Sequence, residues 1–250
     1  MRQLAIVPAY NEEASIGGVI ADLHSNAPSF DVVVVDDGST DDTSARARDA
    51  GVPVIRLPFN LGIGGAVQAG YQYALEGSYD YAVQVDGDGQ HEAREIVRLL
   101  DFLRTRPDMH MVTGSRFLMV DEHNHRSTRT RRLGIAVFAR ILSIITGQTV
   151  TDPTSGFRMV SRRGIELFAR DYPHDYPEVE AVLMIHAHAL NSAEVPVRMR
   201  ERTGGTSSIN ASRSFYYMVK VLLAIFVGLF RSKPTVRHGD EAPVTAEHSL

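Results

Sequence analysis

The 250-residue sequence contains no cysteine, which excludes disulfides, thiolate nucleophiles and Cys-ligated zinc or iron–sulfur sites. The composition fits a reducing compartment, and it also fits chemistry carried by carboxylates, a hard metal and arginines. A long hydrophobic run is missing too. The longest, Val221–Phe230, is about half the roughly 20 residues that a membrane span requires. A secretory leader is not expected, because Met1–Pro8 is too short for an apolar leader core and Asn11-Glu12-Glu13 interrupts it. Nor is there an excess of one charge: 26 Lys and Arg stand against 30 Asp and Glu, a net −4. That argues against a generic polyanion binder, and no nucleic-acid partner is expected, although an average hides local basic patches. No internal repeat is visible. These absences leave a soluble or peripheral protein of one sizeable domain, or a domain with an appendage.

What is present begins as an alternation. Apolar runs at Leu4–Val7, Val32–Val35, Val54–Leu57, Tyr81–Val85 and Met109–Thr113 predict five strands. Helical spacing separates them at Ile16–Leu23, Thr40–Ala50, Gly64–Leu75 and Ile96–Leu103. Continuous β-branched runs between helices predict strands covered on both faces, hence a mostly parallel, Rossmann-like α/β sheet. Beyond Ser115 the rhythm changes. Helices are expected at Arg131–Ile145, Arg162–Phe168 and Glu178–Ala189, with a loop at Thr151–Gly156 and an edge strand at Val195–Val197. The expected layout is one domain over 1–212, with its two halves meeting at 115/116. An apolar helix follows in 213–232, and a disordered tail in 233–250.

Ligands of an open parallel sheet bind beyond the carboxyl ends of its strands, and here four such ends are polar. They read Pro8-Ala9-Tyr10-Asn11-Glu12-Glu13, Asp36-Asp37-Gly38-Ser39-Thr40-Asp41, Asn60-Leu61-Gly62-Ile63-Gly64-Gly65 and Asp86-Gly87-Asp88-Gly89-Gln90. One such end is an ordinary turn, whereas four converging on one edge describe a cleft for a nucleotide. Asp86 and Asp88 can converge on one hard divalent cation whose shell is completed by pyrophosphate oxygens and water. A calcium loop starting at Asp86 fails, because its twelfth position is Val97 and not Glu. A dinucleotide G-x-G-x-x-G reading of Gly62 and Gly64 fails at Val67. Asp36-Asp37 reads as an Asx turn with a helix cap at Ser39 or Thr40, or as a ribose or base contact. The pairs His123/His125 and His186/His188 are spaced two apart and share no helical face, so packing or surface roles are expected. His91 is expected near the metal or phosphate.

In this order, Val7–Glu13, Val35–Asp41 and Asp86–Gln90 resemble family 2 glycosyltransferases of the GT-A fold. Gly114-Ser115-Arg116-Phe117, Asp152–Arg158, and Glu194-Val195-Pro196-Val197 followed by Arg202-x-x-Gly205-x-Ser207 narrow the likeness. They are similar to the group containing dolichyl-phosphate mannose synthases and other polyprenyl-phosphate sugar synthases. The resemblance spans about residues 3 to 210. It implies that Pro8, Ala9, Tyr10, Asn11, Glu12, Asp36 and Asp37 hold the base and ribose of a UDP-, GDP- or dTDP-sugar. Gly38, Asn60, Gly64, Asp86 and Gly87 join them as donor contacts. Asp86, Asp88 and Gln90 hold Mg²⁺ or Mn²⁺ on the diphosphate. The implied reaction inverts the anomeric centre by direct displacement, with Asp88 and Arg116 in catalytic roles.

The acceptor side divides the reading. Between His125 and Thr151 stand Arg126, Arg129, Arg131, Arg132 and Arg140, with no acidic residue. Guanidinium forks match phosphate oxygens, and Arg116, Arg131, Arg132, Ser155, Arg158, Arg202 and Ser207 are the expected acceptor-phosphate contacts. A polyprenyl phosphate is already an anionic nucleophile. A saccharide or other hydroxyl acceptor, as in cell-wall or polysaccharide synthesis, needs a base instead, and Glu178 and Glu180 are the candidates. Phe215–Phe230, flanked by Arg213, Arg231 and Lys233, reads as an interfacial helix at the cytoplasmic face of a membrane, or as a core or homo-oligomer helix. A nucleotidyltransferase would carry a Gly-rich basic loop after the first strand, where Ala9–Glu13 stands; a nucleotide-binding module without activity is the third alternative.

Overall fold

The computed structural model describes residues 1–118, 129–174 and 176–200, with 129–133 described as backbone only. Arg202, Ser207, the 213–232 stretch and the 233–250 tail lie outside the described residues, as do the side chains of Arg131 and Arg132. In chain order the elements are β1 (Gln3–Ala9), α1 (Ile16–Asn26), β2 (Phe30–Asp36), α2 (Thr43–Asp49), β3 (Val54–Arg56), α3 (Gly62–Glu76) and β4 (Tyr81–Gln84). Then come α4 (Ala93–Thr105), β5 (Met109–Ser115), α5 (Arg129–Thr146), β6 (Arg158–Ser161), α6 (Arg162–Arg170), α7 (Pro177–Ala187) and β7 (Asn191–Pro196).

The β-branched runs form strands buried on both faces, as their composition requires. Successive residues alternate between two cores. Leu4, Ile6, Val33 and Val35 pack with α3, α6 and α7, whereas Ala5, Val7, Val32 and Val34 pack with α1 and α4. Because both faces are apolar, a period-2 strand reads as a continuous hydrophobic run. The seven strands form one sheet in the order β3-β2-β1-β4-β6-β5-β7. The pairs β1–β2, β1–β4, β2–β3 and β5–β7 are parallel. Strand β6 is antiparallel to both β4 and β5.

Two features differ from the sequence reading. Strand β6 was not anticipated: it is four residues long, begins at an arginine and runs directly into Arg162-Arg163, so neither alternation nor length marks it. Helix α2 starts at Thr43, not Thr40. The turn before it is made by Asp41, whose carboxylate accepts the Thr43 N–H at 3.0 Å, and neither Ser39 nor Thr40 is the cap. Val195 and Pro196 lie in an edge strand, as expected, which starts earlier at Asn191.

The α3–β1 contact is unusually close. A Cβ on Gly70 would lie 2.2 Å from Ile6 Cγ2, whereas one on Gly18 of α1 would meet nothing within 4 Å. The same Gly→Ala change should therefore have opposite signs at the two positions. Gly18→Ala gains up to about 1 kcal/mol of helix propensity. Gly70→Ala should lose about 1–2 kcal/mol net, because overpacking costs about 1–3 kcal/mol. Urea unfolding midpoints of the two variants check this; equal shifts would contradict the packing.

Candidate active site

The carboxyl ends of β1, β2, β3 and β4 enclose a cavity of about 290 Å³ lined by Pro8, Ala9, Tyr10, Glu12, Asp37, Asn60, Gly62, Ile63, Ala66, Asp86, Gly87 and Asp88. Its walls are tied together before any ligand arrives. The Asn11 N–H reaches Ser39 Oγ at 2.9 Å, and the Thr40 N–H reaches Asn11 Oδ1 at 2.9 Å. The Glu12 N–H reaches Thr43 Oγ1 at 2.8 Å. Asn11 takes φ = +55°, in the left-handed region that asparagine tolerates best after glycine. Its amide knits the β1 and β2 loops together and does not line the cavity.

The adjacent aspartates have divided roles. Asp36 is fully buried. It accepts the Ser39 N–H at 2.8 Å and the Ser44 hydroxyl. Burial alone would raise its carboxyl; hydrogen bonds from Ser39 and Ser44 and the Arg56 charge outweigh that and hold it low. It organises the loop from beneath and is absent from the cavity wall, where a ribose contact was expected. Asp37 reaches the cavity wall and accepts the N–H groups of Leu61 at 2.7 Å and Gly62 at 2.9 Å. Burial, aided by the neighbouring Asp36 charge, raises its carboxyl despite those donors. Gly38 and Gly64 also sit outside the cavity wall. A Cβ on Gly38, at φ = +73°, would lie 2.8 Å from the Phe59 carbonyl carbon, and one on Gly64 would lie 2.3 Å from the Pro173 carbonyl oxygen. Both glycines permit close backbone approach.

At the end of β4, Asp86 and Asp88 line the same cavity. Asp86 Oδ1 accepts from Gln84 Nε2 at 2.9 Å, and Asp88 Oδ1 accepts the Gln90 N–H at 3.0 Å. A Cβ on Gly156 would sit 3.3 Å from Asp86 Oδ2, so the loop before β6 lies directly on this carboxylate. His91 is buried behind it. Its Nδ1 accepts the Asp86 N–H at 3.0 Å, its Nε2 lies 3.7 Å from Asp86 Oδ2, and its ring stacks on Phe157. Gln90 is absent from the cavity wall, and its carbonyl receives the Arg200 N–H at 2.8 Å. Among the described residues no group of three or more His, Cys, Asp or Glu could hold a metal ion. Two hard carboxylates two residues apart in the cavity wall nevertheless fit a Mg²⁺ or Mn²⁺ whose remaining ligands are diphosphate oxygens and water.

Across the cleft, Arg116 follows the last residue of β5. Its Nε and Nη2 meet Asp152 Oδ2 and Oδ1 at 2.7 and 2.8 Å, and Nη2 also reaches Thr154 Oγ1 at 2.9 Å. Asp152 is buried, while the Arg116 side chain keeps 29% exposure. Burial works against the guanidinium charge, but the Asp152 bond and the Asp152 and Asp86 charges more than offset it, keeping Arg116 firmly cationic. Asp152 in turn hangs from Glu194, which accepts the N–H groups of Thr151 and Asp152 at 2.8 and 3.1 Å. Burial raises the Glu194 carboxyl, opposed by those donors and aided by the Asp152 charge.

Two expected phosphate contacts are buried and bonded within the chain. Arg158 is 1% exposed and donates to the carbonyls of Ser155, Glu178 and Pro177 at 2.6, 3.0 and 3.3 Å. It staples β6 to the start of α7. Ser155 is buried, and its hydroxyl donates to the Gly114 carbonyl at 2.7 Å. Glu178 and Glu180 both stand in the first turn of α7. Burial raises the Glu178 carboxyl, with Arg158 opposing and the Asp86 charge adding, which brings Glu178 within electrostatic reach of the cleft. Sequence reading missed Gln84, Ile63, Ala66, Gly156 and Glu194. Ile63, Gly156 and Glu194 carried a signal, each standing inside a motif already singled out.

A second cavity of about 600 Å³ runs along α5, lined by Phe117, Ile135, Ala136, Ala139, Arg140, Ser143, Ile144, Val150 and Thr151. It starts at the chain neighbours of Arg116 and Asp152 and is mostly apolar, with Val137 and Ile144 exposed on the same helix. No helix among the described residues is long and apolar enough to cross a membrane.

Residues 4–168 match the sequence model of the family described as Glycosyl transferase family 2. The chain is 30% identical over 230 residues to a polyprenol monophosphomannose synthase of Mycolicibacterium smegmatis, covering 88% of this chain and 85% of that one. It is 32% identical over 220 residues to an undecaprenyl-phosphate mannosyltransferase of Micrococcus luteus, covering 84% and 88%. Among solved structures, glucosyl-3-phosphoglycerate synthase of Mycobacterium tuberculosis with Mn²⁺, UDP and phosphoglyceric acid superposes with TM-score 0.64 at 21% identity, over 91% of this chain and 78% of that one.

The Asp86–Asp88 pair makes a direct prediction. Asp88→Asn should weaken Mn²⁺ binding in the presence of nucleoside diphosphate at least about tenfold, since it removes a charged ligand from a two-ligand set. The thermal unfolding midpoint should stay near wild type. Calorimetric titration and circular dichroism measure the two; unchanged Mn²⁺ affinity would contradict the assignment.

Proposed function

The chain belongs to glycosyl transferase family 2, and from that premise we propose that it moves a sugar from a nucleotide-diphosphate sugar to a polyprenyl phosphate with inversion at the anomeric carbon. The observation that carries the proposal is the setting of Arg116. A guanidinium held by Asp152 feels the charge of Asp86 in the acid-lined cavity, while Phe117 and Thr151, the chain neighbours of Arg116 and Asp152, line a mostly apolar groove. A nucleotide sugar suits the first cavity, an isoprenoid chain suits the second, and a phosphate joins them at the arginine. The two relatives named for polyprenol and undecaprenyl phosphate support the same acceptor class.

The residues then divide the work. Tyr10, Glu12, Asp37 and Asn60 bound the nucleoside end of the donor cavity. Asp86 and Asp88 would hold a divalent cation, which when bound offsets charge on the departing nucleoside diphosphate. Arg116 pairs with the acceptor phosphate and turns one of its oxygens towards the anomeric carbon. That oxygen forms the new bond as the bond from the anomeric carbon to the diphosphate oxygen breaks; both electrons of the latter leave with the diphosphate. No proton moves, so no general base is required. Glu178, raised by its burial, serves here as a structural charge beside the cleft. The Arg140 side of the groove and the sequence beyond Arg200 are the parts proposed to face a membrane surface at its cytoplasmic side.

A saccharide acceptor remains the second reading, favoured by one observation: Glu178 lies within electrostatic reach of Asp86 and could accept a hydroxyl proton. The two separate in one assay. Purified protein, Mn²⁺ and a panel of UDP-, GDP- and dTDP-sugars are incubated with farnesyl phosphate and, in parallel, with saccharide acceptors, and product is read by mass spectrometry. Lipid-linked sugar is expected, with Glu178→Gln retaining turnover within about threefold, since a base that acts normally contributes about 10²–10⁴-fold. Transfer only to saccharides, abolished by Glu178→Gln, would overturn the lipid-phosphate reading.

A further inference from the structure

The direction of the hydroxyl chain around Arg116 can be worked out from Glu194. This carboxylate, opposite Thr113 in the β5–β7 register, accepts two backbone N–H groups from Thr151 and Asp152 and a short third contact from the Thr151 hydroxyl. An ionised carboxylate only accepts, so Thr151 Oγ1 must donate to it. The 2.6 Å contact between Ser115 Oγ and Thr151 Oγ1 must then run from Ser115. Ser115 Oγ in turn accepts the Phe117 N–H at 3.2 Å. Both chain neighbours of Arg116 are thus tied through hydroxyls to Glu194. The Asp152 that grips the guanidinium is tied to the same carboxylate by its own N–H.

We propose that Glu194 is a positioning residue for acceptor recognition: it sets the direction of the Arg116 guanidinium, and hence the affinity for a phosphate monoester, without touching substrate. The proposal rests on the reading of Arg116 as the acceptor-phosphate clamp. It explains why an acid stands on the edge strand β7, where solvent is near and no cation is paired with it in the contacts above. The loop from Thr151 to Thr154 has no regular structure of its own to hold Asp152, so the backbone N–H groups need an outside acceptor. Glutamine cannot replace the carboxylate there, because its amide NH₂ would face donors. The misdirected loop should then release the fork that Arg116 makes with Asp152.

Farnesyl phosphate titrated calorimetrically into the full chain in Mg²⁺ tests this through a mutant cycle. Arg116→Ala and Glu194→Gln should each weaken binding about tenfold, the effect of one charge-assisted hydrogen bond. The double variant should bind no more weakly than Arg116→Ala alone, because a residue that acts through Arg116 has nothing left to act on. A further tenfold loss in the double variant, or wild-type affinity in Glu194→Gln, would overturn the proposal. If Glu194→Gln does not fold, Thr151→Val removes only the hydroxyl link and should show a smaller loss, again vanishing in the Arg116→Ala background; a loss that persists there counts against it. Wild-type protein that ignores farnesyl phosphate, or Arg116→Ala that binds it normally, would instead sink the clamp reading and this proposal with it.

Discussion

Strand β6 is the constraint on which the site depends, because it runs against β4 and β5 and so begins at the edge where those two strands end. A parallel strand in that slot would deliver its leading loop to the opposite edge of the sheet. Running antiparallel, β6 brings the Thr151–Phe157 loop onto the cleft instead. Gly156 then rests on the Asp86 carboxylate, and Asp152 meets Arg116 beyond the end of β5. Arg158, the first residue of the strand, fixes this arrangement by binding three carbonyls from within the core. A buried guanidinium is costly to leave unpaired; with its Nε already lacking an acceptor, Arg158 depends on these three carbonyls, which tie the loop to the start of α7.

The two halves of the cleft are built by different physics. On the donor side, neutral hydrogen bonds and two buried carboxylates, Asp36 and Asp37, weave consecutive strand ends into a wall, and Asp86 and Asp88 line the same cavity. On the acceptor side, ionic contacts do the same job. Asp152 and Glu194 are two acids joined through one loop, and the Arg116 charge offsets their mutual repulsion. Buried ion pairs add little net stability, since desolvation cancels much of the attraction. Their value lies in fixed direction: a bidentate fork holds the guanidinium in one plane. An enzyme that must bring two anions together, a diphosphate and a phosphate, gains from cationic groups that cannot swing away.

The donor half was legible in the sequence because its strands are continuous β-branched runs that no other arrangement buries. Their polar ends therefore had to converge on one edge. Pro8, Tyr10, Asp37, Asn60, Asp86 and Asp88 could be named from that argument together with the family likeness, and all six line the cavity. Burial was what sequence could not supply. Asp36, Ser155 and Arg158 are polar residues inside site-like motifs, and each proves to be buried within the chain. Gly64 was expected as a donor contact from the family likeness, yet it makes room for the Pro173–His174 backbone. Strand β6 was hidden because four residues carry no periodicity. Glu194 was passed over because its partners are backbone N–H groups, which no side-chain pattern reveals.

The central claim, that an acceptor phosphate oxygen attacks the anomeric carbon directly, is tested most directly by isotope. Farnesyl phosphate carrying ¹⁸O in its non-bridging phosphate oxygens is incubated with the nucleotide sugar that supports transfer, and the product is read by mass spectrometry and NMR. The account predicts ¹⁸O between the anomeric carbon and phosphorus, inverted anomeric configuration and unlabelled nucleoside diphosphate. Retained configuration, or an anomeric oxygen that carries no label, would contradict it.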